Sequence, residues 1–250
     1  MNISKKQFRF LILSNLLSWS AIVFLVLNYT QKRDVQNFDE LTAKRINILN
    51  EDGTTVMAIA NKQRIAAPKM NGKEYPVKMI ERQHFAGMIF FNEEGDEMGG
   101  LVFNSFKLPN GKTAGSGHLS FDRYKDNQVL SLDYKENQQG KVQSGLTFYD
   151  RPGDGTFGKH LDLMREYYYD SISKVRRQEI LNEMKALKKD KGLGVERVFI
   201  GSSNEVPQFR MKDKMGRVRI KIYVDENGEG RIEFLDEKGK IVSQFPEDRV

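Results

Sequence analysis

A four-residue pattern recurs six times along the chain: Asn or Asp, two variable residues, and then Gly. It lies at Asn50–Gly53, Asn92–Gly95, Asn137–Gly140, Asp213–Gly216, Asp225–Gly228 and Asp236–Gly239. The first position of a type I turn favours Asn or Asp, whose side chain accepts hydrogen bonds from nearby backbone N–H groups. The closing residue takes a positive φ, which Gly adopts without penalty, and a hairpin with a G1 bulge results. The pattern therefore predicts a series of antiparallel β-hairpins.

The residues beside these turns alternate in the way expected of strands. Apolar and polar residues alternate through 217–224, where the apolar set is Val218, Ile220, Ile222 and Val224. This period of two predicts a strand with one buried apolar face. The last three turn glycines, at 216, 228 and 239, are 12 and 11 residues apart. Such spacing is typical of consecutive hairpins rather than of βαβ units.

One segment departs from the strand pattern. From His160 to Lys189 there is no Gly or Pro, and apolar residues recur at helical spacing, with a change of phase near Glu179. The pattern predicts one α-helix near 160–190, ended by Gly192 and Gly194. Two interpretations stay open: a helix packed on the sheet with a solvated charged face, or a basic helix lying on an anionic membrane surface.

The N-terminal region contains a long apolar segment. Phe10–Leu27 has no charged residue and spans 18 positions, which gives a helix of about 27 Å, close to the thickness of a bilayer hydrocarbon core. Basic residues before this segment outweigh those after it, so the positive-inside rule keeps the N-terminus in the cytoplasm. We therefore predict a cytoplasmic segment 1–9, a transmembrane signal anchor 10–29, a stalk 30–39 and an extracytoplasmic domain 40–250.

A cleaved signal peptide is the alternative to an anchor. Such peptides have an apolar region of 7–15 residues that ends at a small-x-small cleavage site. The only triplet of that kind is Ser18-Trp19-Ser20. Cleavage there would leave the apolar sequence AIVFLVL at the new N-terminus, so we favour the uncleaved anchor in the cell membrane.

The formal net charge of +6 and the pI near 9.2 point at first to a nucleic-acid partner. Residues 1–39 carry five basic and two acidic side chains, and segment 159–197 carries ten basic and seven acidic ones. Each region therefore has a net charge of +3, and the rest of the chain is neutral. Nucleic-acid binders concentrate Lys and Arg on one broad surface, so we predict no nucleic-acid partner.

The composition restricts catalytic and metal chemistry. The absence of Cys excludes thiol catalysis, disulfides and thiolate zinc sites, and the only histidines are His84, His118 and His160. His84 has no second ligand at a useful spacing, so no metal site is predicted. Asp and Glu concentrate at turns, and no pair stands out as a glycosidase-type couple.

Two short motifs imitate binding loops. Gly153–Lys159 fits the first seven positions of a phosphate-binding loop, but the eighth is His160, which cannot supply the hydroxyl for Mg²⁺. We interpret it as a Gly-rich connection between strand and helix. Asp225–Gly228 resembles the start of an EF-hand loop, but its Gly is at the fourth position rather than the sixth. We interpret that segment as a hairpin turn and predict no cofactor.

A third group suggests a catalytic triad. His118, Ser120 and Asp122 alternate along one strand. Alternate side chains on one strand point in parallel, whereas a triad needs groups that converge from different segments. We therefore predict no catalytic, cofactor-binding or metal-binding residues, and the ligand-binding residues stay unknown.

Several sequence segments resemble those of a bacterial family of membrane-anchored or exported hairpin-repeat proteins. These segments are RINILNEDGT at 45–54, FFNEEGDEMGGLVF at 90–103, GHLSFDRY at 117–124 and RIEFLDEKGKIV at 231–242. The resemblance covers residues 40–250 and implies a β-flower fold, a shallow barrel with radiating hairpins. That fold is similar to tubby-like domains, some of which bind membrane lipids. No site motif accompanies the resemblance.

The fold class predicted is therefore mainly β: an N-terminal transmembrane helix, then a hairpin-rich shallow barrel with one helix. Three functions remain open. The first is non-enzymatic binding of an apolar ligand, a lipid or the membrane surface. The second is an assembly protein that forms homo-oligomers through its hairpin edges. The third and weakest is a hydrolase of envelope polymers.

Overall fold

The computed structural model describes residues 4–30, 36–189 and 192–247. The chain divides into two compact units, Met1–Thr42 and Ala43–Val250. The strands and the buried clusters described below all belong to the second unit.

The first unit consists mainly of helix α1 (Lys5–Thr30). Ser4 and Gln7 form a reciprocal capping box at its start. Within the apolar stretch, the Ser14 and Ser20 hydroxyls donate to backbone carbonyls one turn earlier, which satisfies these polar groups inside the helix. Lys5–Val26 is long and apolar enough to cross a membrane. A signal peptide would meet the same criterion of length and composition.

The second unit contains fourteen strands in its described residues. They are β1 (Arg45–Leu49), β2 (Thr55–Ala60), β3 (Lys69–Met70), β4 (Lys73–Glu74), β5 (Ala86–Phe91), β6 (Glu97–Lys107), β7 (Thr113–Asp122), β8 (Gln128–Glu136), β9 (Val142–Asp150), β10 (Val195–Ser203), β11 (Val206–Lys212), β12 (Val218–Val224), β13 (Gly230–Leu235) and β14 (Ile241–Phe245).

Twelve of these strands form one antiparallel sheet in the order β1-β2-β5-β6-β7-β8-β9-β10-β11-β12-β13-β14. Each strand pairs with its neighbour in the chain, except that β2 is followed in the sheet by β5. Strands β3 and β4 form a separate small hairpin. The prediction of a mainly-β fold is confirmed. The shallow barrel stays a prediction, because β1 and β14 are the two edges of an open sheet.

The six Asx-x-x-Gly turns all connect consecutive strands of the sheet. Their glycines have φ between 77° and 87°. In the turn after β5, the Asn92 side chain accepts the N–H groups of Glu94 and Asp96, and Gly95 donates to the Asn92 carbonyl. The pairing of β5 with β6 shifts by one residue beside this turn. That shift is the bulge expected of a type I turn closed by Gly.

The helical region differs from the prediction of one helix near 160–190. It contains two helices, α2 (Thr156–Tyr169) and α3 (Lys174–Lys189). Asp170 has an extended backbone that ends α2. The Ser173 hydroxyl then accepts the N–H of Arg176, which caps the start of α3. The break lies ahead of Glu179, where the phase of the apolar residues changes.

The segment between β2 and β5 provides much of the core. It includes the β3–β4 hairpin and two 3₁₀ turns, Val77–Ile80 and Arg82–His84. Two buried clusters result. One is Ala58, Ile65, Ala66, Ile89 and Phe91; the other is Met70, Tyr75, Met79 and Leu161 of α2. The core therefore lies on one face of the sheet, beneath the 61–85 segment and α2.

The other face of the sheet is apolar, and no described element of the second unit packs on it; we call it the open face. On β12 it carries Ile220, Ile222 and Val224, of which Ile222 and Val224 are exposed. The prediction that the apolar side chains of 217–224 form a buried face is therefore wrong. The covering elements pack on the opposite face, which we call the covered face.

Candidate functional site

A cavity of about 530 Å³ lies against the covered face. Its polar wall comes from β6, β7 and β8, and its apolar wall comes from α2 and the 61–85 segment. The volume is within the range usual for small-molecule sites. Titratable side chains line the cavity on both walls.

The first group is a buried ion pair. Arg82 of the second 3₁₀ turn donates to both carboxylate oxygens of Glu97 on β6, at 2.9 Å and 2.5 Å. Its Nη1 also donates to the carbonyl of Ala66. Bidentate pairs of this kind fix both side chains. The pair therefore attaches the 61–85 segment to the sheet and leaves Glu97 with its charge already balanced.

The second group crosses from β7 to β8. His118 and Asp133 are paired residues in these strands, and their Nδ1 and Oδ1 atoms lie 2.8 Å apart. The Ser131 hydroxyl donates to the other oxygen of Asp133 at 2.6 Å. Burial raises the pKa of Asp133, but the hydrogen bonds from His118 and Ser131 outweigh burial and hold that pKa below its usual value. An ionised Asp133 only accepts, so Nδ1 of His118 carries the proton of this hydrogen bond.

The third group is the carboxyl of Asp122 at the end of β7. Its Oδ1 atom is buried and has no hydrogen-bond partner in the described part of the chain. Burial, reinforced by the negative charge of Glu97, raises the pKa of Asp122 to about 8. Arg82 and Arg151 lower that pKa through their charge, and neither donates a hydrogen bond to Asp122. The Asp122 carboxyl is therefore protonated near neutral pH when the cavity contains no cation.

The opposite wall contributes His160 of α2. Burial and the positive charge of Lys188 lower the pKa of His160, so its ring is neutral near pH 7. Its Nδ1 atom is buried and makes no hydrogen bond to any described residue. Lys69 and Lys135 also line the cavity, but their side chains are 39% and 65% exposed, so both ammonium groups lie where water screens them.

The structure brings the three residues of the suggested triad to one cavity but does not assemble a triad. His118, Ser120 and Asp122 all line the cavity from β7. The acid that orients His118 is Asp133 of the next strand, and sequence reasoning missed it. No hydrogen bond joins Ser120 to His118 in the described ranges, and the Ser131 hydroxyl is bound to Asp133. The cavity thus holds an oriented imidazole without an adjacent nucleophile.

The register of the β7–β8 hairpin could have identified Asp133 as the partner of His118. The turn after β7 runs through Arg123 and Asp126, where Lys125 takes φ 52°. It lacks the Asx-x-x-Gly pattern, so the pattern alone did not locate it. Once this turn is placed, antiparallel pairing puts Asp133 opposite His118.

The Gly153–His160 segment connects β9 to α2. The N–H of Gly153 donates to Asp126 Oδ2 at 2.6 Å, so a carboxylate already occupies the first amide of the loop. Asp225–Gly228 forms the turn between β12 and β13, where Asp225 Oδ1 accepts the N–H groups of Asn227 and Glu229. Both segments use their polar groups within the fold. His84 contacts the neighbouring Gln83 side chain.

No group of three or more His, Asp or Glu side chains with metal-binding geometry occurs among residues 4–30, 36–189 and 192–247. The cavity offers a neutral acid, an oriented imidazole and two largely buried carboxylates. Its apolar wall can receive a hydrocarbon group.

The open face forms a second candidate site. One row of directly paired residues crosses all twelve strands, and every member is apolar. The row is Ile46, Ile59, Met88, Leu101, Leu119, Leu132, Leu146, Ile200, Phe209, Ile222, Ile232 and Phe245. At a strand spacing of about 4.8 Å, eleven intervals extend about 53 Å along the sheet.

A second row lies two residues along each strand. It is Ile48, Met57, Phe90, Gly99, Phe121, Leu130, Phe148, Val198, Met211, Ile220, Phe234 and Ser243. The exposed members of the two rows retain between 38% and 69% of their accessible surface. Neither row contains a charged residue. Contiguous apolar patches of this extent mark interaction sites on soluble proteins.

Comparisons with known proteins do not decide between the two sites. No protein-family model matches the chain, and a search of curated proteins finds no significant match.

Proposed function

We propose that the protein is a membrane-anchored module that binds lipid through the open face. The observation that carries the proposal is the row of twelve apolar residues, one from each strand, of which six are exposed and six are partly buried. A sheet face of this length without charge is expensive to leave in water, at roughly 25 cal/mol for each Å². Acyl chains are a partner that needs no hydrogen bond from such a face.

The N-terminal helix favours a lipid over other apolar partners. The apolar part of α1 is long enough to span a bilayer. Residues 31–44 connect α1 to β1, and an extended chain of that length reaches about 50 Å at most. An uncleaved anchor would therefore keep the sheet unit within reach of the membrane at all times.

The proposal also specifies how the chain is oriented across the membrane. Lys5, Lys6 and Arg9 precede the apolar segment, and the positive-inside rule places them in the cytoplasm. Residues 30–250 would then lie outside the cytoplasmic membrane. An alkaline phosphatase reporter fused to the C-terminus, which is active only after export, should be active. Activity of a cytoplasmic reporter at that position would show that the C-terminus is in the cytoplasm and would contradict the proposed orientation.

The absence of Cys makes a site-specific test of lipid contact direct. In the full chain, Leu132→Cys places a single thiol on the open face of β8, and Lys135→Cys places one on the covered face of the same strand. Both positions are exposed. Each variant is labelled with an environment-sensitive fluorophore and reconstituted into phosphatidylcholine–phosphatidylglycerol vesicles. Lipids with a doxyl group on the acyl chain should quench the label at position 132.

The label at position 135 is the matched control and should remain unquenched. Equal quenching at both positions would indicate non-specific proximity to the bilayer. An absence of quenching at position 132 would exclude lipid contact by this part of the open face. Both of these outcomes contradict the proposal.

A second candidate function is assembly through the sheet edges. Edge strand β14 (IVSQF) has no charge, and Val242 and Phe245 are strongly exposed on it. Uncharged edges favour pairing with another strand. If β14 mediates assembly, native mass spectrometry should show an oligomer that Val242→Lys converts to monomer. A monomeric wild-type protein would exclude this candidate.

A further inference from the structure

The cavity against the covered face differs in chemistry from the open face, because three carboxyl groups line it. Glu97 and Asp133 have side chains that are only 14% exposed, and the Oδ1 atom of Asp122 is also buried. One buried guanidinium, that of Arg82, lines the same cavity, and the charge of Arg151 also acts on Asp122. The three carboxyl groups differ in whether each has a hydrogen-bond partner.

Two of these three carboxyl groups have partners within the fold. Glu97 is paired with Arg82, and Asp133 is hydrogen-bonded to His118 and Ser131. Of the three carboxyl groups that line the cavity, only Asp122 presents a buried oxygen without a hydrogen-bond partner among the described residues. A buried acceptor of this kind is costly unless a donor reaches it.

A further feature indicates the kind of donor. The aromatic rings of Phe85 and Phe157 line the cavity, and ring faces attract cations. The ring of Tyr149 also lines the cavity, but the Arg151 guanidinium already lies over it. An unpaired acid and aromatic walls together match a cationic donor that carries an apolar group.

We propose that the cavity binds an organic primary amine, with its ammonium group at Asp122 and its hydrocarbon part against α2 and the 61–85 segment. The hydrocarbon wall is formed by Ile80, Leu161 and Met164, together with Phe157. This site is separate from the open face and does not depend on the lipid-binding proposal. A free amine and the ethanolamine headgroup of a lipid share the required chemistry.

Amine binding requires the ionised form of Asp122, so it is coupled to loss of a proton. The charged groups that face Asp122 are Glu97 of β6, Arg82 of the 3₁₀ turn, Asp126 of the turn after β7 and Arg151 after β9. Because the pKa of Asp122 is about 8, the affinity for an amine should rise about tenfold per pH unit below pH 7. Near pH 7 each binding event should release most of one proton, because Asp122 is mainly protonated at that pH.

The test is isothermal titration calorimetry on the full-length protein in phosphatidylcholine nanodiscs, with empty nanodiscs subtracted. The probes are 2-phenylethylamine, 2-phenylethanol and phenylacetate, which share a benzyl group. We expect the amine to bind most tightly and phenylacetate to bind least. Titrations in two buffers of different ionisation enthalpy measure the proton released. Binding of phenylacetate as tight as that of the amine, or no binding of the amine, would overturn the proposal.

Asp122→Asn keeps the shape of the protonated acid and removes its charge. In this variant, amine affinity should fall at least tenfold at pH 8 and lose its pH dependence. Asp154→Asn, at an exposed carboxylate before α2, is the control and should bind as the wild type does. The proton release of the wild type tests the proposal even if Asp122→Asn does not fold: a value near zero contradicts it.

A second set of nanodiscs identifies the source of the amine. Phosphatidylethanolamine in the disc should compete with 2-phenylethylamine if the natural ligand is a lipid headgroup. If the ligand is a free amine, the affinity should be the same in both discs. Because this readout depends on the cavity alone, it fails or succeeds independently of acyl-chain contact at position 132.

Discussion

Backbone geometry, rather than space, requires glycine at the end of each Asx-x-x-Gly turn. Gly140 has φ 78°, and a Cβ atom built there would meet no other atom within 4 Å. Gly230, at the start of β13, is equally uncrowded, but its φ is outside the left-handed region. Because neither position is crowded, replacement of each glycine by Ala tests the effect of a positive φ alone.

We expect Gly140→Ala to lower the free energy of unfolding by about 1–2 kcal/mol, because an L-residue at positive φ is strained. Gly230→Ala should leave it unchanged within about 0.5 kcal/mol or raise it slightly, because the unfolded chain loses entropy. Urea unfolding of both variants measures the difference. Equal effects would mean that the turn does not require positive φ.

The buried acid of Asp122 predicts a pH dependence of stability. The pKa of Asp122 is about 8 in the folded protein against 3.8 for an ordinary Asp, so between these values the folded state holds a proton that the unfolded state has lost. The stabilisation by this proton is complete below the unfolded pKa of 3.8. It is lost progressively as the pH rises from 3.8 to the folded pKa of about 8. The slope approaches about 1.4 kcal/mol per pH unit.

Comparison with Asp122→Asn isolates this contribution from other titrating groups. The free energy of unfolding of the variant, relative to the wild type, should increase steadily from pH 5 to pH 8. Urea unfolding at four pH values tests this. A constant difference between the two proteins would show that Asp122 is ionised in the fold.

Among the elements, helices α2 and α3 are linked by ion pairs. Arg176 of α3 donates to both carboxylate oxygens of Glu166 on α2, at 2.7 Å and 2.9 Å, and to Glu183, which lies two turns along the same face of α3. Lys159 of α2 also lies 3.9 Å from Glu183. These groups are partly exposed, so solvent weakens each pair. The bidentate contact between Arg176 and Glu166 nevertheless attaches α3 to α2 in one orientation.

We expect Arg176→Gln to lower the free energy of local unfolding of α3 by about 1 kcal/mol, with a smaller effect on the sheet. Hydrogen exchange of α3 amides measures this opening. Lys185→Gln, at an exposed position of the same helix, should leave the exchange rates unchanged. Equal acceleration by both variants would indicate that the effect is one of helix charge alone.

At the scale of the whole molecule, the two faces of the sheet contribute differently to stability. Ile89 on the covered face is 1% exposed, whereas Leu132 on the open face is 52% exposed. Ile89→Ala should cost about 2–5 kcal/mol, because it leaves a cavity in the core. Leu132→Ala should cost about 1 kcal/mol or less, because half of that side chain already contacts water. Urea unfolding compares the two variants.

If Leu132→Ala is as destabilising as Ile89→Ala, another element covers the open face in solution. Lipid or detergent should also change the two variants differently. A ligand on the open face stabilises the folded state by mass action, so Leu132→Ala should reduce the stabilisation that lipid gives, and Ile89→Ala should not.

Much of the sheet could be predicted from local signals. The Asx-x-x-Gly turns specify where strands end, and alternation specifies which residues share a face. The break between α2 and α3 was missed because apolar spacing continues across it, although Ser173 is a recognisable cap. The cavity could not be predicted, because Arg82, Asp122, Asp133 and His160 come from four separate elements.

The sequence alone therefore determined the hairpins, the apolar N-terminal helix and the division of each strand into an apolar and a mixed face. These features depend on neighbours within a few residues, where backbone dihedrals and side-chain period decide the outcome. Only the tertiary structure decided which face is covered. The 61–85 segment and α2 pack on the small and polar row that contains Ser120 and Ser131, because Arg82 and the apolar clusters attach them there through long-range contacts. The apolar row is left open, and alternation cannot reveal this because it is the same whichever face is covered.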